Sequence, residues 1–504
     1  MNQNASNIIM GLIVWFWVLF LVFIFRPRKI YSTRKVGLVK QKDISILALV
    51  CIGTVFFCII PMGMSPYYNG EIPDHRNQYE KMAEALLEGH VYLNDEVDQS
   101  LLSLSNPYNP KEREESQAEF LWDHAYYNGH YYMYFGIAPV IFLFLPYKVL
   151  TGTTLLTYHA TQIFVLFIIV GIFALNYLFA KTQFQNCSFG YLCLISVGIS
   201  LMSVWLSIGE PALYCTAITS GICCEIWSIY FFVKCLENND DETPLYAIVG
   251  SFLGALTFAC RPPIGLTNII VIPVLKKYMS ISKKGKVRRF LQIAIPYMLV
   301  AVLLMMYNHA RFDNPFEFGQ AYQLTVADQH LYGGIRLLSG LKGLLHNFVA
   351  SGRISGIYSF YSNSGVLCKY PMTLAVFGLI SRDIRMKLKE KNSYNLVIIL
   401  MLAALIITFF EAQWVPFWEE RYRMDVYYIV GIFTFIIIEA ANEVLIAKGD
   451  GKIIQIFKKC VWIMTILCIL MTIGLILIPH NQNYTSYNVI FWERVVNILT
   501  FGRR

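Results

Sequence analysis

Charged residues are scarce in this chain of 504 residues, of which 15% are charged and 56% are hydrophobic. Soluble domains carry about 25% charged residues, so the composition excludes an ordinary soluble protein. Apolar runs of roughly 18 to 22 residues, enough to cross a hydrocarbon core of ~30 Å as a helix, recur along the chain. The runs are continuous and do not alternate with period two, which favours helices. The sequence therefore predicts an all-α polytopic membrane protein in a lipid bilayer.

Several recognisable motifs are missing as well. None of the twelve cysteines forms a pair with zinc-site spacing, and most lie in apolar runs, so no disulfide framework is expected. Walker and dinucleotide motifs are absent, so we expect neither a nucleotide-sugar donor nor a nucleic-acid partner. The first apolar run is followed, not preceded, by its basic residues. That order is the reverse of a cleavable signal peptide and predicts a membrane anchor.

Lysine and arginine are concentrated in short connecting segments, at 26–42, 276–289, 382–391 and 448–459. Short basic loops lie on the cytoplasmic side of a membrane. About twelve crossings (range 11 to 14) place all four clusters inside, in a multi-pass protein of the plasma membrane. The predicted spans are 8–25, 44–62, 132–150, 158–180, 188–208, 212–233, 245–275, 288–307, 364–381, 394–412, 426–446 and 460–479. Because Pro262 and Pro263 interrupt the seventh span, we expect it to break there.

This topology divides the chain into four parts. An N-terminal anchor and basic loop (1–43) precede a membrane core (44–307), whose first extracytoplasmic loop is 63–131. A second outer loop (308–363) and a C-terminal set of helices with an outer tail (364–504) follow. The large loops thus lie outside and the short basic connectors inside, which favours chemistry or recognition on the outer face.

The first outer loop is the most acidic part of the chain. From Pro61 to Tyr131 it carries thirteen acidic and four basic residues, although the whole chain has a net charge of +8. Within it, Tyr79 to His90 shows helical spacing of apolar residues and ends on Gly89, which predicts a short amphipathic helix at the membrane interface. Asp74 would lie near the head of that helix.

These features resemble the GT-C superfamily of integral membrane glycosyltransferases, in bacterial forms. The resemblance rests on Asp74, Tyr79, Ala83, Ala85, Leu86 and Gly89, and on the segments NPYNPKER, WDHAYYNGHYYMYFGIAPVIFLFLPYKVLTG, TFACRPPIGL (257–266), MYNHARFDNPFEFGQAY (306–322) and WEERYRMD (418–425). The family usually pairs its aspartate with a following acidic residue, about four positions before the aromatic. Here His75 follows Asp74, and Tyr79 lies five positions on.

The resemblance implies transfer of a sugar from a polyprenyl-phosphate donor, on the extracytoplasmic face, to a cell-envelope glycan, lipid or protein. Such an enzyme needs a carboxylate to deprotonate or orient the acceptor, and Asp74 is the catalytic candidate. It also needs cations for the departing phosphate, for which arginine is suited. The substrate-binding candidates are His75, Asp123, His124, Tyr127, Arg261, Arg311, Arg421 and Arg423.

Three questions stay open at this stage. Asp123 and His124 could bind sugar hydroxyls, or a divalent ion such as Mg²⁺ or Mn²⁺ together with Asp74, but the sequence fixes no ligand set. One base predicts inversion at the anomeric carbon, whereas retention needs a second close carboxylate. The alternatives to the transferase are a transporter or flippase of lipid-linked sugars and an envelope polysaccharide polymerase.

Overall fold

The computed structural model describes residues 3–62, 77–209, 211, 213–237, 244–280, 285–332, 334–349, 364–414, 420–477 and 497. This part of the chain is mainly helical, with one short antiparallel hairpin. The α-helices are α1 Gln3–Ile24, α2 Ile30–Thr33, α3 Gln41–Met62, α4 Gln78–Glu88, α5 Gln99–Leu102, α6 Pro110–Glu115, α7 Leu145–Thr151, α8 Thr157–Thr182, α9 Phe189–Gly209, α10 Leu213–Glu237, α11 Pro244–Cys260, α12 Pro262–Gly265, α13 Val271–Ser280, α14 Lys286–Phe312, α15 Leu337–Phe348, α16 Val366–Lys369, α17 Arg382–Glu390, α18 Tyr394–Trp414, α19 Met424–Lys448 and α20 Gly451–Leu477. The strands are β1 Ala125–Tyr127 and β2 His130–Tyr132. A π-helix, Val140–Phe144, and 3₁₀ segments Val36–Leu38, Leu266–Ile270, Gln329–Tyr332, Pro371–Ile380 and Glu420–Arg423 complete the helical elements.

Eight helices of the described part are long and apolar enough to cross a membrane. They are Gln41–Met62, Thr157–Thr182, Phe189–Gly209, Leu213–Glu237, Lys286–Phe312, Tyr394–Gln413, Arg421–Lys448 and Gly451–Gly474. The other four expected crossings correspond to shorter apolar helices at Gly11–Ile24, Val140–Thr151, Pro244–Cys260 and Pro371–Ile380. The expectation of a multi-pass helical membrane protein is therefore confirmed.

Three of these shorter segments differ from their predicted spans for local reasons. The span expected at 132–150 is helical only from Val140, because β2 and the Gly136 to Pro139 stretch occupy its first part. The span expected at 364–381 is a single α-helical turn followed by a 3₁₀ segment that starts at Pro371. The span expected at 245–275 stops at Cys260, as the proline pair predicts.

Helix α9 lies at the centre of the bundle, and every residue in it is buried. It packs against α3, α8, α19 and α20. Small residues allow these close approaches, as expected for helices that pack inside a membrane. A Cβ at Gly431, for example, would lie only 2.5 Å from the side chain of Ile199.

One end of the bundle gathers three of the basic clusters. Lys448 at the end of α19 pairs with Asp383 of α17 at 2.6 Å, so the third and fourth clusters lie together. Val36, between α2 and α3, donates its backbone N–H to Cys187 at 2.9 Å, and Asn186 donates to Glu443 of α19 at 3.1 Å. We call this the basic end. Helix α14 begins with the residues of the remaining cluster, from Lys286.

The opposite end carries the two long loops, which fold on each other. The β1–β2 hairpin turns at Asn128 and Gly129, both with positive φ, as a two-residue hairpin turn requires. The second loop adds to it, because Tyr126 N–H donates to Tyr322 O at 2.9 Å and Leu324 N–H donates to His124 O at 2.9 Å. Residues from both loops thus form one cap, which we call the loop cap.

Helix α4 of the loop cap forms at the position of the predicted amphipathic helix. It ends on Gly89, whose φ of +91° is the left-handed conformation typical of a helix stop. Tyr79, Met82 and Ala83 are buried, and the Tyr79 ring stacks on Phe144 with 5.3 Å between centroids. The apolar face of α4 therefore packs on the protein itself.

Candidate active site at the loop-cap end

Arg261 lies at the break between α11 and α12. The residue before a proline is driven away from helical dihedrals, and Arg261 has φ −156° and ψ 103°, which is extended. Helix α11 consequently ends at Cys260, and Arg261 alone separates it from Pro262. The side chain is only 14% exposed, so this break buries most of a guanidinium at the loop-cap end of the bundle.

Two carboxylates from later helices hold that guanidinium. Arg261 Nε donates to Asp425 Oδ2 at 2.5 Å, and a guanidinium nitrogen lies 3.6 Å from Glu411 Oε1. Asp425 is in the first turn of α19 and Glu411 is near the end of α18. The three residues therefore join the break after α11 to the neighbouring ends of α18 and α19.

The charges in this cluster do not balance, since two buried carboxylates share the Arg261 guanidinium. Asp425 is fully buried and Glu411 is 4% exposed. Both oxygens of Glu411 and Oδ1 of Asp425 accept no hydrogen bond from the described residues. Buried ionised groups require a compensating charge or donor. This cluster can thus accept a further proton or a donor group from a bound molecule.

Asp123 is the buried carboxylate of the loop cap. It has a positive φ of 56°, uncommon for a residue with a side chain, and its backbone N–H donates to Leu324 O at 3.0 Å. Gln323 Nε2 donates to Asp123 Oδ1 at 2.9 Å, and the Tyr214 hydroxyl donates to Oδ2. Asp123 is thereby fixed by both loops and by the first turn of α10.

Tyr214 and Arg421 connect Asp123 to the Arg261 cluster. The guanidinium carbon of Arg421 lies 4.1 Å from the centre of the Tyr214 ring, whose hydroxyl bonds Asp123. The Tyr422 ring lies 5.4 Å from the guanidinium carbon of Arg421 and 5.4 Å from that of Arg261. A continuous set of contacts results, which we call the site cluster: Asp123, Tyr214, Arg421, Tyr422, Arg261, Glu411 and Asp425.

Tyr134 borders the site cluster from the loop cap. Burial raises the pKa of its phenol, with a further rise from Tyr422 and opposing effects from Arg261 and Arg421, so the hydroxyl remains a donor. It donates to Gln320 Oε1 at 2.6 Å. Gln78 of α4 accepts from the Tyr134 N–H at 3.2 Å and donates to Asp123 O at 3.0 Å.

Gly136 brings the chain after the hairpin into backbone contact with the end of α11. A Cβ there would lie 2.2 Å from Ala259 O and 2.3 Å from Cys260 O, where only rigid backbone is met. We predict that Gly136→Ala lowers the free energy of unfolding by about 1–3 kcal/mol, the usual effect of overpacking. Gly334→Ala is the matched control, since nothing lies within 4 Å of its added Cβ. Thermal unfolding in detergent compares them, and equal midpoints would contradict this prediction.

The remaining sequence candidates have other contacts. Arg311 is buried and donates to Met133 O at 2.9 Å and to Asn308 Oδ1 at 2.7 Å, which ties the end of α14 to the loop cap. Arg423 donates to Ser364 O at 3.0 Å. The Tyr127 hydroxyl donates to Asp313 Oδ2 at 3.2 Å, and buried His124 contacts Trp122 O through Nδ1 at 2.9 Å. The structure thus brings Asp123, Arg261 and Arg421 together.

Asp74 and His75 lie outside the described residues. Their predicted roles therefore remain predictions. The described chain resumes at residue 77, and Gln78 there bonds the Asp123 backbone.

Sequence reasoning missed four members of the site cluster, namely Tyr214, Tyr422, Glu411 and Asp425. Glu411 carried a usable signal, because an acidic residue at the end of an apolar helix is costly in a bilayer and often functional. Asp425 is 164 positions from its partner Arg261, and Tyr214 sits in an ordinary apolar run. No local pattern in the sequence indicates either contact.

The described residues contain no group of three or more histidine, cysteine, aspartate or glutamate side chains placed to hold a metal ion. Glu411 and Asp425 are two neighbouring carboxylates of the kind that can bind a metal ion, but both contact the Arg261 guanidinium. The expectation of a possible Mg²⁺ or Mn²⁺ ion concerned Asp74 and stays untested. No protein-family model, curated protein or solved structure matches the chain.

Proposed function

We propose that this protein is a membrane glycosyltransferase that moves a sugar from a polyprenyl-phosphate donor to a hydroxyl of a cell-envelope acceptor. One observation supports this above all: Asp123 of the first loop, Arg261 and Arg421 of the last turn belong to one set of contacts. The GT-C plan requires carboxylates of the first loop and cations of later segments to meet.

The reaction asks for a proton acceptor and for cations. The acceptor oxygen attacks the anomeric carbon, the bond from that carbon to the phosphate oxygen breaks, and polyprenyl phosphate leaves with the bonding electrons. The acceptor proton passes to a carboxylate. Fixed cations stabilise the phosphate as its charge develops. Both kinds of group are present at the loop-cap end of the bundle.

Arg421 is the better donor-phosphate ligand of the two arginines in the site cluster. Arg261 is committed to Asp425 and Glu411. Arg421 stacks on the Tyr214 and Tyr422 rings, which fixes the plane of its guanidinium, and a planar guanidinium matches the geometry of a phosphate. In this proposal Arg421 binds the donor phosphate, and Arg261 holds the carboxylate pair in place.

The two carboxylates of the first loop, Asp123 and Asp74, have different roles in this proposal. Asp123 accepts hydrogen bonds from Gln323 and Tyr214, and an ionised carboxylate has further lone pairs for a sugar or acceptor hydroxyl. We assign it substrate binding. Asp74 stays the proton acceptor that the family resemblance implies.

The basic end would face the cytoplasm, because lysine and arginine in short loops are retained there. Helix α19 runs from Met424 to Lys448 over its 25 residues, a rise of roughly 37 Å, so it separates the two ends by a membrane thickness. The site cluster would then lie on the extracytoplasmic face of the plasma membrane, where the lipid-linked donor is presented.

The test is sugar transfer by purified protein in lipid nanodiscs, supplied with a labelled polyprenyl-phosphate sugar and candidate envelope acceptors. We expect a new glycoside and released polyprenyl phosphate with wild type, and at least a 100-fold slower rate with Arg421→Gln. Lys342→Gln, an exposed cation elsewhere on the loop side, is the control. If the Arg421→Gln protein transferred sugar at the wild-type rate, the proposed role of Arg421 in phosphate binding would be contradicted.

Two outcomes would replace the proposal by its alternatives. Movement of the labelled donor between leaflets of a proteoliposome, with no glycoside formed by wild type, would indicate a transporter or flippase. Long-chain products in place of single additions would indicate a polymerase.

A further inference from the structure

A cleft at the basic end lies apart from the site cluster. It has a volume of about 570 Å³ and is lined on one side by Arg26, Arg28 and Lys29, after α1, and on the other by Lys459, Trp462 and Ile463 of α20. Helix α20 starts just after α19 has ended at Lys448, and the cleft residues belong to the first half of α20, towards the basic end. The proposed transfer reaction does not use it.

The four cations of the cleft have no acidic partner in the part of the chain that the structure describes. Among the described residues, no ion pair is formed by Arg26, Arg28, Lys29 or Lys459, and the cleft lining contains no carboxylate. The side chain of Arg28 donates to a neutral acceptor, Gln455 Oε1, at 2.9 Å. Four like charges around one cavity repel one another unless an anion lies between them.

The adjacent basic residues show a different pattern. Arg34, five positions after Lys29, pairs with buried Asp43, and Lys35 donates to Asn186 Oδ1 at 2.8 Å. These two side chains secure the fold of the basic end. Unlike Arg34, the first three cations of the same basic segment have no acidic partner in the described chain.

Two details of the cleft also point to a bound anion. Arg28 has a φ of +70°, a conformation that is unfavourable for a residue with a side chain and often found where function requires it. The indole Nε1 of Trp462 is buried and donates to no acceptor in the described chain, although buried indole N–H groups usually find one. Trp462 also lines the cleft, and a turn of its side chain would bring this N–H to a phosphoryl oxygen there.

The position of the cleft favours a lipid as the source of that phosphoryl group. Its walls continue into outward-facing apolar side chains of the flanking helices, including Phe23 of α1 at 56% exposure and Ile463 of α20 at 48%. Acyl chains can lie on such a surface. Basic pockets between membrane helices on the cytoplasmic side are suited to anionic headgroups.

We propose that this cleft binds the phosphoryl headgroup of an anionic phospholipid, at one site per chain. The guanidinium groups of Arg26 and Arg28 and the ammonium groups of Lys29 and Lys459 surround the phosphate. Trp462 donates its indole N–H. The acyl chains lie along α1 and α20.

Native mass spectrometry of the detergent-purified full chain tests this, with titration of dioleoyl phosphatidylglycerol or dioleoyl phosphatidylcholine. We expect wild type to retain one phosphatidylglycerol at least tenfold more tightly than phosphatidylcholine. The double variant Arg28→Gln with Lys459→Gln should lose at least tenfold in phosphatidylglycerol affinity. The matched control, Lys276→Gln with Lys277→Gln, removes two exposed cations elsewhere and should bind like wild type.

Two further measurements distinguish a lipid phosphate from free phosphate and separate loss of binding from misfolding. Inorganic phosphate at millimolar concentration should not displace the lipid, and displacement would overturn the lipid as the natural source. Arg28→Gly removes the guanidinium while relieving the left-handed φ, so it should lose lipid affinity without loss of thermal stability. If the cleft variant and the control variant bound phosphatidylglycerol with equal affinity, the proposed site would be overturned. The binding would then reflect only nonspecific attraction between headgroups and surface cations.

Discussion

Replacing Arg261 by glutamine is expected to destabilise the protein by about 3–5 kcal/mol, the effect of removing one partner from a buried ion pair. The variant would leave Asp425 and Glu411 buried without the guanidinium that now lies between them. Those carboxylates sit at neighbouring ends of α18 and α19, so their repulsion would act on the helix ends that frame the site cluster. Equilibrium unfolding in mixed micelles measures the change.

Two further variants separate charge from geometry at this position. Arg261→Lys keeps the charge but loses the planar fork that reaches both carboxylates, so we expect an intermediate loss. The double variant Arg261→Gln with Glu411→Gln removes one carboxylate together with the guanidinium, so the net charge of the cluster is the same as in the wild type. We expect it to recover part of the stability. Arg382→Gln removes an exposed arginine of α17 and is the control. If Arg261→Gln unfolded like Arg382→Gln, the buried cluster would not contribute to stability.

The same residue shows which features the sequence could predict. The helix break at Arg261 follows from two prolines in the next two positions, a purely local effect, and the structure confirms it. Helix α4 was equally local, since period and a terminal glycine define it. The partners of Arg261 were not predictable in this way, because Glu411 and Asp425 meet it only through the packing of distant helices.

The β1–β2 hairpin carries a local signal that hydropathy does not register. The predicted span 132–150 begins at Tyr132, which is the last residue of β2 in the structure. An Asn-Gly pair between alternating residues is the strongest short-range hairpin signal, and the structure forms that hairpin. The tyrosines pack inside the loop cap: Tyr131 is buried, and the Tyr127 ring lies 4.7 Å from that of Tyr322.

The short 3₁₀ segment from Pro371 to Ile380 could not be told from a span by composition alone. Its ten residues are apolar except for Thr373, and at about 2.0 Å per residue a 3₁₀ helix of this length extends roughly 20 Å. A hydropathy pattern counts apolar residues but does not detect hydrogen-bond type. The predicted number of crossings consequently depends on segments whose backbone geometry only tertiary packing decides.

Replacing Asp123 by asparagine is expected to lower the rate of sugar transfer at least 100-fold while leaving stability almost unchanged. The effect on stability is small because the hydrogen bonds at this position can form again in the variant. Gln323 and Tyr214 now donate to the two oxygens, and an asparagine would present one oxygen and one NH₂ group. The Gln323 amide can flip to accept, so the polar contacts survive and only the negative charge is lost.

That lost charge bears directly on the proposed chemistry. Asp123 is linked through Tyr214 to Arg421, so its charge helps to hold the tyrosine on which this arginine stacks. In the proposed reaction Arg421 binds the donor phosphate and Asp123 accepts a substrate hydroxyl. Glu114→Gln, which neutralises an exposed carboxylate of α6 in the same loop, should transfer sugar like wild type. Initial rates in nanodiscs and unfolding midpoints, measured on the same preparations, give both readouts. An Asp123→Asn protein with wild-type rates would remove the loop-cap carboxylate from the reaction, whereas equal losses of rate and stability would assign it to folding.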